Sequence, residues 1–425
     1  MRIEIRASAG PSARVGCAGD LVPGCPDWVP LAKEETLRRA LGSCALVVAN
    51  LESPLTTAAS HKERGASLAS DPASVRELKD CNIGAVCLAN NHIMDCGLTG
   101  LTDTTETLAR NAIGFFGAGR SRSGASAPWH WETGGLRIAF LGYAFSCPTA
   151  VAGPDPEGAG VQPFAAREAE RQIAELRQQG CLVCVSCHGG EEFFRVPSPA
   201  YRSALQGLAA AGAHLVIGHH AHVFRGLEVR DGCLIAYGLG NFYMDTPLQR
   251  ARRGTAVGLL LTVELDAVGP AAYDVRFVCR QDTPPGLSLV RGRAEGELCG
   301  LLDEWSGAVR DYRAHRREWR RDCFRMAWGM NEIGGAGPIG MLRRAARLLL
   351  YAAWRFRKRG GRKGGSREAH GTPVRRMILA ACMAAPRAIA EMQKTTRCYR
   401  VYDAACAASP KRIRRSVAAA ASAEK

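Results

Sequence analysis

One local pattern recurs from about residue 13 to residue 242: a short apolar run, a polar loop, then a segment with helical spacing. Residues 15–18 run into Gly19-Asp20, residues 45–49 into Asn50-Leu51-Glu52, and residues 83–88 into Asn90-Asn91-His92. Farther on, residues 181–186 run into His188-Gly189-Gly190-Glu191, and residues 215–217 into Gly218-His219-His220-Ala221-His222. Uninterrupted apolar runs of this length suit strands covered on both faces, as in a parallel or mixed sheet layered with helices.

The intervening segments carry helix punctuation. Asp71-Pro72 precedes Val75, Leu78 and Lys79; residues 165–179 are rich in Ala, Glu, Arg and Gln and stop at Gly180; residues 197–211 place Ala200, Leu205 and Leu208 on one face and stop at Gly212. Strand, helix, strand implies parallel strands whose C-terminal ends share one edge of the sheet, where open α/β folds place their ligands. Asp20, Glu52, Asn91, His92, His188, His220 and His222 would then converge from five loops. After residue 242 the texture changes. Residues 255–266 and 272–280 alternate as antiparallel strands do, and residues 223–229 pair with 234–237 across Asp231-Gly232. Residues 296–327 return to helical spacing, heavily Arg-rich.

Charge divides the chain. Of 56 Lys+Arg and 40 Asp+Glu, residues 301–425 hold 28 and 10, leaving 28 against 30 in the first 300 residues. We therefore expect a main domain over 1–295 and a basic, mainly helical C-terminal extension over 296–425, with Gly-rich linkers in 334–371 and a disordered end from Lys411. Within it, residues 341–358 set Leu342, Ala345, Ala346, Leu349, Leu350 and Trp354 among six Arg and Lys residues. Such a helix either lies on an anionic membrane surface or polyanion, or packs its apolar stripe on the main domain. Residues 1–6 lack the apolar core of a signal peptide, and no uncharged apolar stretch of about 18 residues occurs. A cytoplasmic or peripheral-membrane location is the expectation.

The 17 cysteines form no repeating framework and read as reduced thiols. Cys181-x-x-Cys184-x-x-Cys187 has zinc-like spacing, yet it falls in an expected buried strand, where a thiol behaves as a small apolar group. The chain carries no P-loop, no Gly-x-Ser-x-Gly elbow, no dinucleotide fingerprint and no specific nucleic-acid motif.

Carboxylate, amide and imidazole together form a donor set suited to zinc, manganese or iron rather than to calcium or magnesium. There are enough of them for two ions, a pair that can clamp a phosphoryl group for in-line attack. Gly19-Asp20, Asn50-Leu51-Glu52-Ser53-Pro54, residues 89–97, His188-Gly189-Gly190-Glu191, Gly218-His219-His220-Ala221-His222-Val223 and residues 237–242 resemble the successive signatures of the CapA capsule-synthesis family, associated with bacterial capsule and poly-γ-glutamate production. That family is similar in fold to the calcineurin-like metallophosphoesterases, a four-layered α/β/β/α sandwich with a two-metal site.

The resemblance covers roughly residues 13–280. It implies Asp20 and Glu52 as acidic metal ligands, Asn91 as the amide ligand, His188, His220 and His222 as imidazole ligands, and His92 as general acid. His219 competes with His220 for its role. Asp95 and Glu191 are either partners that orient imidazoles or cap and turn residues, and Asn241 is placed to contact substrate. The cofactor implied is one or two divalent ions of Mn, Fe or Zn. The phosphoesterase pattern begins with Asp-x-His, whereas Asp20 is followed by Leu21-Val22, and Glu52 stands where an Asp is usual. Three roles stay open: a metal-dependent protein of anionic-polymer assembly with hydrolase chemistry, a general metallophosphoesterase on a nucleotide or phosphodiester, and a non-catalytic polymer-binding scaffold.

Overall fold

The computed structural model describes residues 1–24, 31–60, 67–145, 158–282 and 285–327. The chain opens with β1 (Arg2–Glu4) and β2 (Ser12–Leu21). It then alternates through α1 (Glu35–Gly42), β3 (Leu46–Leu51), α2 (Val75–Asp80), β4 (Ile83–Cys87), α3 (Gly97–Arg110) and β5 (Gly114–Phe116). Short β6 (Ala118–Gly119) and α4 (Arg122–Ser126) lead to β7 (Trp129–Thr133) and β8 (Leu136–Ala144). After β9 (Gly160–Val161) come α5 (Ala166–Gln178), β10 (Leu182–His188), α6 (Pro199–Ala210), β11 (Leu215–His219), β12 (Leu227–Arg230) and β13 (Cys233–Ala236). The last elements are β14 (Asn241–Tyr243), α7 (Pro247–Arg250), β15 (Val257–Asp266), β16 (Gly269–Asp282), β17 (Pro285–Leu289), α8 (Arg293–Arg310) and α9 (Tyr312–Ala327).

Local chemistry accounts for many of these boundaries. The Asp71 carboxylate accepts from the Ala73 amide at the turn that feeds α2, and the Ser198 hydroxyl accepts from Tyr201 N ahead of α6. α5 stops before Gly180, whose φ of 77° a side chain would resist. The β12–β13 hairpin turns on Asp231 and Gly232, both at positive φ, as its two-residue connection requires.

The strands form two large sheets. One runs β1-β16-β15-β2-β3-β4-β5, with β14 added on β2 and β17 on β16; the other runs β12-β13-β11-β10-β8-β7. β2 to β5 are parallel in the first, and β8, β10, β11 and β13 are parallel in the second. The expectation that all five site-bearing strands share one sheet edge is thus corrected. Three belong to one sheet and two to another, because the repeated strand–helix pattern is a local signal that does not say which strands pair.

Strand alternation shows the layering. In β10, Leu182 and Cys184 enter the core shared with the first sheet, whereas Val183, Val185 and Cys187 join the second core with Ile173 of α5 and Leu205 of α6. Leu215 and Ile217 of β11 face the first core, and Val216 the second. Leu41 of α1, Leu78 of α2 and Leu101 and Leu108 of α3 cover the first sheet. This is the expected four-layered α/β/β/α sandwich, with buried sheets held between helices.

The Arg-rich segment is helical and packs on the sandwich. Trp305 of α8 is buried against Phe224, ring centroids 4.9 Å apart, and Ser306 Oγ accepts from Leu227 N at the edge strand β12. Among the described residues no helix is long and apolar enough to cross a membrane. The expected basic helix over 341–358, the Gly-rich linkers and the C-terminal end lie outside the described residues.

Candidate metal centre

Asp20 ends β2, Asn50 lies on β3 with Glu52 just past it, and residues 90–92 follow β4. Opposite them, His188 and His219 end β10 and β11 in direct register, and His220 and His222 follow. The two groups of loops meet because both sheets present the C-terminal ends of their parallel strands at the same end of the sandwich. Asn50 Nδ2 spans them, donating to Asp20 Oδ1 at 2.9 Å and to His188 Nδ1 at 3.2 Å. His188 Nε2 then lies 2.7 Å from Asn91 Oδ1 and 3.6 Å from Glu52 Oε1.

The histidine loop is built around Asp20. Its Oδ1 accepts from His219 Nδ1 at 3.1 Å and its Oδ2 from the His220 amide at 3.1 Å. His220 and His222 sit at φ 81° and 56°, a left-handed conformation uncommon for residues with a Cβ, stabilised here by that buried carboxylate. Asn241 sets His222: its amide nitrogen donates to Gln249 Oε1 and Thr255 O, which turns its Oδ1 to accept from His222 Nδ1 at 3.0 Å. His222 Nε2 is left facing Glu52 Oε1 at 3.8 Å. Orientation of a ligand imidazole through its other nitrogen is how metal sites are tuned.

Among the described residues, three overlapping trios place one donor atom from each residue within 4.8 Å of one another: Glu52, His188 and His220; Asp20, Glu52 and His222; and Glu192, His220 and His222. His220, and not His219, belongs to the trios; His219 is occupied with Asp20. Glu52 is fully buried, and its Oε1 has no hydrogen-bond partner; neither does His220 Nδ1. An unpartnered buried carboxylate oxygen is costly unless a cation meets it, so this donor set fits a divalent ion.

The electrostatics agree for His188 and His220, while His222 would have to release a proton to bind an ion. Burial raises Asp20, but hydrogen bonds and charge from His219 and His222 outweigh it and hold the carboxyl well below its usual range. Burial and the Asp20 charge push Glu52 well up. Burial and its imidazole neighbours lower His188, and burial with the His222 charge lowers His220 to about 3, so both are neutral donors. Burial lowers His222 as well, yet Glu52 and Asp20 outweigh it and hold the ring at about 10.

Asp95 Oδ2 accepts from His92 Nδ1 at 2.7 Å and from Leu68 N at 2.8 Å, tying the imidazole to the loop. Glu191 lies apart from the trios: its Oε2 accepts from Ser198 N at the start of α6. Cys184 faces one core, Cys181 and Cys187 the other, so the thiols of the zinc-like spacing do not converge.

Sequence reasoning passed over Asn50, Asn90 and Glu192 as site residues. Asn90 is structural, donating to Asn50 Oδ1 and Leu51 O while its Oδ1 accepts from the His92 and Ile93 amides. The visible signal is their closeness in sequence to Glu52, Asn91 and Glu191.

The sandwich and its histidine–carboxylate cluster define an α/β protein with a candidate metal centre at one end of its two sheets. Residues 30–246 match the model of the family described as "Bacterial capsule synthesis protein PGA_cap", and the chain belongs to that family. It is 33% identical over 218 residues to the PGA biosynthesis protein CapA of Bacillus subtilis, covering 50% of this chain and 56% of that protein. It is 27% identical over 198 residues to the capsule biosynthesis protein CapA of Bacillus anthracis, covering 46% and 48%. The chain thus spans about half the length of these curated relatives. Among solved structures, the Haemophilus influenzae NAD nucleotidase is similar with a TM-score of 0.39 and 13% identity, covering 69% of this chain and 62% of that one.

Proposed function

We propose that this chain is a CapA-like, metal-dependent protein acting in the assembly of capsule or a poly-γ-glutamate-type anionic polymer, with phosphoester-type hydrolase chemistry at its metal centre. The observation that carries this reading is Glu52: one buried carboxylate shared by two donor trios, with an oxygen that accepts no hydrogen bond and faces His188 and His222 only at 3.6 and 3.8 Å. Asp20, Glu52, Asn91, His188, His220 and His222 would hold one or two ions of Mn, Fe or Zn. When bound, such ions supply Lewis acidity and neutralise charge developing on a phosphoryl oxygen.

The protein's own part is positioning and proton transfer. Asn50 and Asn241 lock the rings of His188 and His222, and Asp20 holds the strained histidine loop in place. His92 is the proton donor to the leaving oxygen; the Asp95 carboxylate holds its Nδ1–H, which assigns proton exchange to Nε2.

Elemental analysis of the purified protein, paired with hydrolysis of bis(p-nitrophenyl) phosphate, tests the reading. Wild type should carry Mn, Fe or Zn and hydrolyse the diester. His92→Ala should lower turnover by about 10²- to 10⁴-fold with metal retained, and His220→Ala should lower the metal content itself. A protein that binds no metal, with both variants behaving as wild type, would sink the reading.

A further inference from the structure

We propose that Glu192 is a ligand of this metal centre, taking the place of the imidazole that the sequence lacks beside Asp20. The inference rests on the metal-centre reading above and adds a residue to it. Where a histidine two residues past Asp20 would be needed, Val22 stands instead, following the fully buried Leu21. Glu192 reaches the same cluster from the other sheet. Its carboxylate forms a trio with His220 and His222, and its Oε1 lies 4.0 Å from His220 Nε2. It shares His222 with the trio of Asp20 and Glu52, and His220 with the trio of Glu52 and His188, so it borders both groups as Glu52 does.

The backbone on either side of Glu192 is held by buried partners. Gly190, at φ 86°, makes the turn after β10. Phe193 N donates to Ala221 O at 2.8 Å, tying this loop to the histidine loop, and the Phe193 ring lies 5.8 Å from that of His222. The fully buried Arg225 donates to Glu191 O at 2.6 Å and to Phe194 O at 2.9 Å. From α9, the buried Asp322 accepts from the Arg195 and Val196 amides, and Trp319 stacks on Phe194 with centroids 4.8 Å apart. A segment fixed at residues 191, 193, 194, 195 and 196 is not a free surface loop. The one acidic side chain it turns toward the histidines is placed there by the fold.

Exposure separates the two shared carboxylates. Glu52 is wholly buried, whereas the Glu192 side chain is 36% exposed. Glu52 therefore lies on the interior side of the cluster and Glu192 on its solvent side. A carboxylate in place of an imidazole also makes the donor set harder, which favours Mn²⁺ over Zn²⁺.

Calorimetric titration of the full, metal-stripped chain with Mn²⁺ tests this, comparing wild type with Glu192→Gln and Glu192→His. Glu192→Gln keeps the shape and removes the charge; it should weaken at least one Mn²⁺ binding event by about tenfold or more. The metal-free melting temperature, measured alongside, should match wild type. Glu192→His restores a donor of the missing kind and should bind Zn²⁺ more tightly than Glu192→Gln does. Equal Mn²⁺ stoichiometry and affinity in wild type and Glu192→Gln overturns the assignment of Glu192 alone. No Mn²⁺ or Zn²⁺ binding by wild type overturns the metal centre, and this inference with it.

Discussion

Asp20 and Glu52 show how two neighbouring carboxylates acquire opposite characters. Asp20 accepts from His219, His220 and Asn50 and stays ionised, whereas Glu52, buried beside that charge with one oxygen unpartnered, is pushed toward its neutral form. A bound cation removes that penalty. Stripping the metal with a chelator should therefore lower the melting temperature, and restoring Mn²⁺ at about a hundred times its Kd should return about 2.7 kcal/mol of stability. A melting temperature indifferent to chelator would argue against occupancy. Gly19 offers a second test. A Cβ there would come within 1.9 Å of Gly240 O, a backbone atom on the segment that pairs with Asp20. Gly19→Ala should destabilise the protein by about 3 kcal/mol in urea unfolding, the upper end of overpacking costs, and should displace Asp20 with it. At this scale the sequence displayed the acids, amides and imidazoles, but not their division of labour. Asn90 and Asn91 are adjacent and chemically identical; one ties the backbone together and the other faces His188, a distinction set by the fold of the loop.

Among the elements, those with clear periodicity or turn residues are legible in the sequence: α5, which stops before Gly180, α6, capped by Ser198, and the β12–β13 hairpin. The sequence pattern does not single out β8 or α3, although Leu136–Ala144 pairs with β10 in the second sheet. The helices at the end of the described chain do structural work for the rest. Trp305 of α8 fills the space against Phe224, and Gly226 allows its backbone to approach: a Cβ on Gly226 would meet Trp305 O at 2.5 Å. Trp305→Ala should cost about 3–5 kcal/mol in chemical unfolding; a change below about 1 kcal/mol would show α8 to be dispensable. His214, just before β11, gives a pH signature. Burial, with the Arg177 charge, lowers it from an ordinary 6.5 to about 4, while its Nδ1 accepts from Val183 N. The unfolded chain binds a proton near pH 6.5 and the folded one does not, so stability is present above 6.5 and declines as pH falls toward 4. Replacing His214 with Gln should flatten that decline by about 2–3 kcal/mol across the window, measured as denaturant midpoints at successive pH values.

For the whole molecule, charge is the dominant asymmetry, since residues 301–425 carry the entire basic excess. We propose that this basic region meets an anionic surface or polymer. Deletion of residues 334–425 should then abolish sedimentation with phosphatidylserine-containing vesicles at low salt, and unchanged sedimentation would refute it. α9, the last described element of this region, reaches the centre, since its Asp322 and Trp319 brace the loop that carries Glu192.

The sequence by itself determined the class of fold and the chemical inventory of the site: buried strands followed by helices, and polar residues placed just past each strand. These are local properties, written in apolar runs, caps and glycines a few residues apart. Only the tertiary structure decided which of the site-bearing strands belongs to which sheet, that His220 rather than His219 joins Glu52 and His188, and that Glu192 approaches from the far side. Those outcomes depend on which surfaces bury one another and on contacts between residues some 200 positions apart, such as Asp20 with His220. Near-neighbour patterning carries no record of such contacts, so the residue types of the candidate site were legible while the geometry that groups them was not.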